Sequence, residues 1–191
     1  DGLVEIIAAG QSSKLTNEAT TVMSMMSVVD NTPDSSGLDF DQFSFSSAKS
    51  VVEQDKLSNL SFASYDFGDV DNDGDFDFLI SGYSFDGYKT ILFENKRKLD
   101  ENGVAVQPIE VYFEEKANDF VSVKEGTSDF VDFDADGKLD VLFSGQSSSG
   151  DLVKAYKNGD DGFTDMNVGL PAVRDGRFVF GDFDSNGFAD V

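Results

Sequence analysis

Cysteine, histidine and tryptophan are all missing from this 191-residue sequence, and only three prolines are present. Without cysteine the chain forms no disulfide and offers no thiol nucleophile. Without histidine it has no imidazole base, and together the two absences remove the usual ligands of zinc. Chemistry is therefore left to carboxylates, hydroxyls, Tyr, Lys and Arg.

Positive charge and long apolar runs are also scarce. The chain has 14 Lys and Arg against 37 Asp and Glu, so its formal net charge is −23. Such a surface repels nucleic acid and anionic lipid and attracts cations. No apolar run approaches the roughly 18 to 20 residues that span a bilayer. We therefore expect no nucleic-acid partner and no membrane span. The 19 phenylalanines provide enough apolar surface for a folded core.

An aspartate-rich segment occurs three times. It reads FGDVDNDGDFDFLISG at 67–82, FVDFDADGKLDVLFSG at 130–145 and FGDFDSNGFADV at 180–191. The register extends further, because Asn95 and Asn158 both lie 26 residues after the first aspartate of their segment. The first aspartates are 63 residues apart (69 to 132) and then 50 residues apart (132 to 182). The longer interval predicts an inserted hairpin over 96–107 that turns near Asn102 and Gly103.

Each repeat predicts a small antiparallel sheet. Four short runs with β character, such as FVDF, DVLFSG, VKAYKN and GFTDM, are separated by Gly, Asn and Asp. Tandem four-stranded units of this length are typical of β-propeller blades, so we predict an all-β fold. The predicted units are an irregular partial blade with an insertion at 1–49, a blade at 50–112, a blade at 113–162 and a partial blade at 163–191.

The repeated loop has the pattern D-x-D-x-D-G-x-x-D, which predicts a calcium site. Alternate carboxylates converge on one cation, the glycine allows a sharp turn, and the ninth position closes the site. Hard, charged oxygen ligands favour Ca²⁺ over zinc or copper. The predicted side-chain ligands are Asp69, Asp71, Asp73 and Asp77 in the loop 69–77, Asp132, Asp134, Asp136 and Asp140 in the loop 132–140, and Asp182, Asp184, Asn186 and Asp190 in the loop 182–190.

The seventh position of each loop is expected to offer its backbone carbonyl. Asp75, Lys138 and Phe188 occupy it, so the Asp75 side chain is interpreted as a bystander. An EF-hand would need a glutamate at the twelfth position and flanking helices. Ile80 and Phe143 stand at the twelfth position, and the flanks read as strands. The pattern therefore indicates loops that join strands.

In these residues the chain resembles the FG-GAP or VCBS repeat family, which includes integrin α-subunit propellers and many secreted bacterial proteins. The resemblance covers most of 50–191 and is specific in the metal loop, whereas 1–49 departs from the pattern. It implies a propeller of about seven blades with calcium in the blade loops, and roles in adhesion, glycan binding or assembly. About three blades fit in this chain, so it is expected to belong to a larger chain or assembly.

Two functions of different classes follow as hypotheses. The first is a non-catalytic binding, adhesion or structural module with a protein or carbohydrate ligand at the cell surface. The second is a propeller-type polysaccharide lyase that uses Arg174 or Arg177 beside calcium. The chain can also be a domain whose function resides elsewhere in a larger polypeptide. Since loops of this kind in extracellular modules bind calcium at about 10⁻⁴ to 10⁻³ M, an extracellular or cell-surface location is expected.

Two further groups of residues are candidates for contact with a ligand. Tyr83, Phe85 and Tyr88 lie in one predicted hairpin and are interpreted either as a platform for a sugar ring or as hairpin packing. Lys96, Arg97 and Lys98 form the basic cluster of the sequence and are interpreted as solvated loop charge.

Overall fold

The computed structural model describes residues 5–6, 26–27, 60–97, 99–104 and 111–191. Most of the predicted partial blade at 1–49 lies outside these residues. The described strands are β1 (Glu5–Ile6), β2 (Met26–Ser27), β3 (Ser61–Gly68), β4 (Asp77–Ser84), β5 (Gly87–Arg97), β6 (Val111–Lys116), β7 (Lys124–Val131), β8 (Asp140–Ser147), β9 (Gly150–Gly159) and β10 (Gly162–Asp165).

Two four-stranded antiparallel sheets dominate the fold, with the orders β3-β4-β5-β6 and β7-β8-β9-β10. Strands β1 and β2 pair separately. The prediction of an all-β chain built from four-stranded antiparallel units is confirmed. Over its described residues the chain forms no closed ring, and it contains no helix long and apolar enough to cross a membrane.

The same two-residue turn joins the second and third strands of each sheet. Ser84 pairs with Gly87 in the first sheet, and Ser147 pairs with Gly150 in the second. Both glycines have positive φ angles, of 114° and 122°. Each serine hydroxyl accepts a backbone N–H inside its turn, from Asp86 at 3.2 Å and from Ser149 at 3.1 Å. Turn chemistry in the sequence thus fixes the register of both hairpins.

Apolar side chains form three layers that alternate with the two sheets. One layer covers the outer face of the first sheet and includes Phe78, Ile80 and Phe93. The middle layer lies between the sheets and joins Leu79 of the first sheet to Phe143 of the second. The third layer joins the far face of the second sheet to the third repeat. Strands β4 and β8 are covered on both faces, so their first six residues are all buried and each strand has three consecutive apolar residues.

Strands β3 and β7, the first strands of the two sheets, lie side by side. Asp66 accepts the backbone N–H of Phe130 at 2.8 Å, and Ser64 accepts that of Ser128 at 3.1 Å. The hydroxyls of Ser81 and Ser128 are 2.5 Å apart in the buried interior. Polar groups therefore link the two sheets along their first strands, while the middle apolar layer joins their faces.

Each first strand begins with a bulge. The pairing shifts between Ser61 and Ser64 in β3 and between Lys124 and Thr127 in β7. Phe62 and Glu125 occupy the bulges with φ near 50°, and Asp175 of the third repeat has φ of 54°. Asp175 also donates its backbone N–H to the carbonyl of Glu125 at 2.7 Å. The three repeats thus share the same left-handed backbone conformation at this position, although a different residue occupies it in each.

The corresponding phenylalanines of the repeat differ in burial. The sequence predicts Phe67, Phe130 and Phe180 to be core residues. Phe130 is half-buried because it packs against Gly68 of the first sheet, whereas Phe67 is 38% exposed.

The inserted segment joins β5 to β6. These strands pair from Leu92 with Lys116 to Arg97 with Val111, so the first sheet reaches a few residues past the predicted boundary at 112. Beyond the pairs, Asp100 accepts the backbone N–H groups of Asn102 and Val104 at 2.8 and 2.9 Å. The predicted turn at Asn102 and Gly103 falls within this local structure, while Lys98 and 105–110 lie outside the described residues.

Gly126 allows β7 to approach β8 closely at the bulge. A β-carbon on Gly126 would lie 2.0 Å from the carbonyl oxygen of Ser144. We predict that Gly126→Ala lowers the free energy of unfolding by about 3 kcal/mol, since backbone must move to admit the methyl group. Urea denaturation of both proteins measures this loss. Gly169→Ala is the matched control, because nothing lies within 4 Å of a β-carbon there; equal losses in both variants would contradict the prediction.

Candidate metal loops

The three aspartate-rich loops occupy the same place in their repeats, and the first two follow the first strand of a sheet. Loop 1 (69–77) joins β3 to β4, loop 2 (132–140) joins β7 to β8, and loop 3 (182–190) is closed by an antiparallel bridge between Gly181 and Asp190. The side-chain amide of Asn72 in loop 1 donates to the carbonyl of Gly137 in loop 2 at 3.0 Å. Loops 1 and 2 are therefore neighbours at one end of the sheets.

The first aspartate of each loop is held by the loop backbone. In loop 1, Asp69 accepts the N–H groups of Asp73 and Gly74, both at 3.0 Å. The equivalent pairs of bonds to Asp132 and Asp182 measure 2.9 to 3.1 Å. In all three loops, the loop backbone thus orients both carboxylate oxygens of the first aspartate in the same way.

A repeated backbone conformation makes this geometry possible. The fourth residue of each loop has a left-handed φ, 58° at Asn72, 56° at Ala135 and 61° at Ser185. The glycine at the sixth position is left-handed as well, with φ between 85° and 93° in the three loops. Glycine takes this conformation without steric cost, which explains its place in the pattern. The conformation at the fourth position was missed from the sequence, since three different residues occupy it.

The ninth residue ties the loop to the sheet. Asp77 is 1% exposed and accepts the backbone N–H groups of Val70 at 2.8 Å and of Asn95 on β5 at 2.9 Å. Asp140 is fully buried and repeats both bonds, with Phe133 at 3.1 Å and Asn158 on β9 at 2.8 Å. Burial raises the pKa of both carboxyls against the lowering effect of these donors.

Each loop gathers three of its aspartates. One carboxylate oxygen from each member of a cluster lies within 4.8 Å of those of the other two members. The clusters are Asp69, Asp71 and Asp77 in loop 1, Asp132, Asp134 and Asp136 in loop 2, and Asp182, Asp184 and Asp190 in loop 3. Nine of the predicted ligands therefore lie in clusters of three, whereas Asp73 and Asp140 belong to no cluster.

The remaining predicted residues have other contacts. Oδ1 of Asp73 accepts the N–H of Asp75 at 3.0 Å, and Oδ1 of Asn186 accepts that of Phe188 at 2.8 Å. At the seventh position, the Asp75 carboxylate pairs with Arg97, the Lys138 ammonium pairs with Asp160, and the Phe188 side chain is 49% exposed. Their side chains are thus turned to other partners or to solvent, and the backbone carbonyl is the group that each can offer.

Lysines approach the first two clusters unequally. The Lys157 ammonium pairs with Asp134 and lies 3.1 Å from Asp136, and these bonds hold the pKa of Lys157 above its usual range. In loop 1 the Lys96 ammonium is 3.6 Å from Asp71 and 2.8 Å from Glu94. The sequence did not single out Lys157, because its place on β9 opposite loop 2 depends on strand pairing.

The donor set of the loops fits a hard cation. Every clustered group is a carboxylate, and in loop 1 three of them converge with one ammonium at the edge. Carboxylates this close repel one another unless a cation or protons offset their charge. Oxygen ligands with several negative charges are those that calcium takes in proteins.

The candidate arginines, Arg174 and Arg177, belong to the segment that precedes loop 3. Arg174 is 3.4 Å from Asp151, at the start of β9. Arg177 lines a cavity of about 550 Å³ with Phe62, Tyr65 and the bulge at Glu125. The bulge and loop 2 are separated by the length of β7, about 20 Å for a strand of eight residues. Within the described residues, neither arginine pairs with a carboxylate of the loops.

The candidate aromatic platform is only partly assembled. The rings of Tyr83 and Tyr88 meet edge to face with centroids 5.2 Å apart, and the Lys124 ammonium lies 5.2 Å from the Tyr83 centroid. Phe85 is fully exposed at the tip of the turn between β4 and β5. Hairpin packing thus accounts for the two tyrosines and leaves Phe85 open to solvent.

Comparison with protein-family models, with curated proteins and with solved structures found no match to the chain. What the loops do is therefore inferred from their own chemistry and repetition.

The buried carboxylate of Asp140 gives a prediction that does not depend on metal. We expect Asp140→Ala to lower the free energy of unfolding by about 3 kcal/mol in the presence of a chelator, because two backbone N–H groups lose their acceptor. Urea denaturation measures the change. Asp75→Ala, at the seventh position of loop 1, is the control and has a smaller expected loss, since its carboxylate pairs with the exposed Arg97. Similar losses in both variants would show that the two bonds contribute little.

Proposed function

We propose that this chain is part of a calcium-stabilised β-propeller of the FG-GAP or VCBS type, acting as a non-catalytic binding, adhesion or assembly module. The observation that carries the proposal is the threefold repetition of one carboxylate-gathering loop. Three loops with different intervening residues share the same hydrogen bonds to the first aspartate and the same two left-handed residues. Three equally shaped loops with carboxylates at the same spacing support one kind of ligand for all of them.

Calcium is the cation that this proposal assigns to the loops. Each loop offers three clustered carboxylates and further carbonyl oxygens within nine residues. Calcium accepts six to eight oxygen ligands in flexible geometry, whereas magnesium retains several waters and takes fewer ligands from protein. The bound ion would offset the repulsion among carboxylates in a chain whose net charge is −23.

The stacking of the sheets supports a propeller. Adjacent blades of a propeller pack face to face around a central axis. The middle apolar layer joins the faces of the two sheets, and a third layer continues to the next repeat. First strands β3 and β7 are adjacent, as blades around an axis require. Further blades from a longer chain or from partner chains would complete the ring.

Binding is favoured over catalysis by the partners of the two arginines. A lyase would need Arg174 or Arg177 beside calcium, and within the described residues Arg174 pairs with Asp151 while Arg177 lines the cavity at the bulge. The exposed turn around Phe85 is a surface that a protein or carbohydrate ligand can contact. An extracellular or cell-surface location follows from the millimolar calcium that loops of this kind require.

Thermal melts with calcium, magnesium and chelator test the proposal. With a Kd of ~10⁻⁴ M and ~2 mM calcium, each site stabilises the folded state by roughly 1.8 kcal/mol. Three sites therefore contribute ~5 kcal/mol, and Tm should rise by roughly 10 °C in calcium relative to chelator. Magnesium should give a much smaller rise.

A paired variant locates the effect in the loops. Asp69→Asn removes one charge from the cluster of loop 1 and should reduce the calcium-dependent rise in Tm by at most about a third, since one of three sites is weakened. Asp161→Asn, on an exposed residue outside the clusters, should leave the rise unchanged. Coincident melts of the unmodified protein in all three solutions would refute calcium binding.

A further inference from the structure

Loop 2 differs from loop 1 in having a lysine ammonium between its carboxylates. Lys157 on β9 forms an ion pair with Asp134, and its Nζ atom is 3.1 Å from an oxygen of Asp136. Both aspartates belong to the three-carboxylate cluster of loop 2. The ammonium thus contacts the same side chains that a divalent cation would need.

Loop 1 has the opposite charge at the equivalent position. Glu94 stands one residue before Asn95, as Lys157 stands one residue before Asn158, and each asparagine donates its backbone N–H to the ninth residue of its loop. The Glu94 carboxylate accepts hydrogen bonds from Lys96 and Lys116. These bonds hold the Lys96 ammonium at the margin of loop 1, 3.6 Å from Asp71.

Strand pairing explains why residue 157 faces the loop. Val141 on β8 pairs with Tyr156 on β9, which sets Lys157 opposite Asp140. The Lys157 side chain therefore leaves β9 at the end of the sheet next to loop 2. A cation attached to the sheet at this point remains close to the cluster as long as β8 and β9 stay paired.

We propose that Lys157 is a built-in competitor of calcium at loop 2, so that loop 1 fills at a lower calcium concentration than loop 2. This inference rests on the proposed binding of calcium. Calcium must displace the ammonium from Asp134 and Asp136 before the carboxylates can bind the metal, and the two like charges repel at short distance. Exposed ion pairs of this kind correspond to about two- to fivefold in an equilibrium constant each.

Site-resolved calcium titration of the whole chain tests the proposal. Gly74 and Gly137 donate their amides to the first aspartate of loops 1 and 2, so their NMR amide signals report on each loop separately. We expect the Gly74 signal to reach its midpoint at lower calcium than the Gly137 signal. In Lys157→Met, the Gly137 midpoint should fall about three- to tenfold, while the Gly74 midpoint stays the same.

Two further variants serve as controls. Lys154→Met removes a lysine from the same strand that pairs with Asp165 and should leave both midpoints unchanged. Glu94→Lys installs the competitor beside loop 1 and should raise the Gly74 midpoint. The dispersion of the amide signals in the spectra of Glu94→Lys and Lys157→Met reports whether each variant is folded.

The outcomes separate this inference from the proposed function. If both glycine signals respond to calcium but Lys157→Met leaves the Gly137 midpoint unchanged or raises it, competition by Lys157 is refuted and calcium binding stands. If neither signal responds at millimolar calcium in any folded variant, calcium binding itself fails and the inference fails with it.

Discussion

A buried carboxylate at the ninth loop position joins the parts of the first two units. Asp140 links the start of loop 2 to β9 through the N–H groups of Phe133 and Asn158, and Asp77 makes the same link in the first sheet. A charged acceptor pairs well with backbone donors in a buried setting, but it is costly if either partner is lost. The conformation of the loop therefore depends on a fully paired sheet beneath it.

The units are coupled to one another as well as within themselves. The side-chain amide of Asn158 on β9 donates to the carbonyl of Val70 in loop 1 at 2.8 Å, and Asn72 reaches Gly137 in loop 2. Below the loops, Phe143 and Tyr156 pack against Phe120 of the connecting segment. Loops 1 and 2 are therefore in direct contact through hydrogen bonds, while the apolar layers join the sheets.

Local regularity made the loops and sheets predictable. The spacing of Asp69, Asp71 and Asp77 and the glycine at the sixth position are local constraints, and they led to clusters that the structure contains. The four runs of β residues per repeat predicted the four-stranded sheets for the same reason. The positive charge beside loop 2 could not be predicted from the sequence, because Lys157 reaches Asp134 only through the pairing of β8 with β9.

By itself the sequence determined an all-β repeat with a carboxylate loop after each first strand, since turn residues, strand propensity and ligand spacing act over short distances. Only the tertiary structure decided which equivalent residues of the repeats differ in burial and in the charge that they bring to a loop. Phe130 packs on Gly68 while Phe67 stays partly exposed, and residue 157 brings a positive charge to loop 2 where Glu94 is negative beside loop 1. Burial and charge at these positions are set by neighbouring sheets and strands, which a local pattern does not encode.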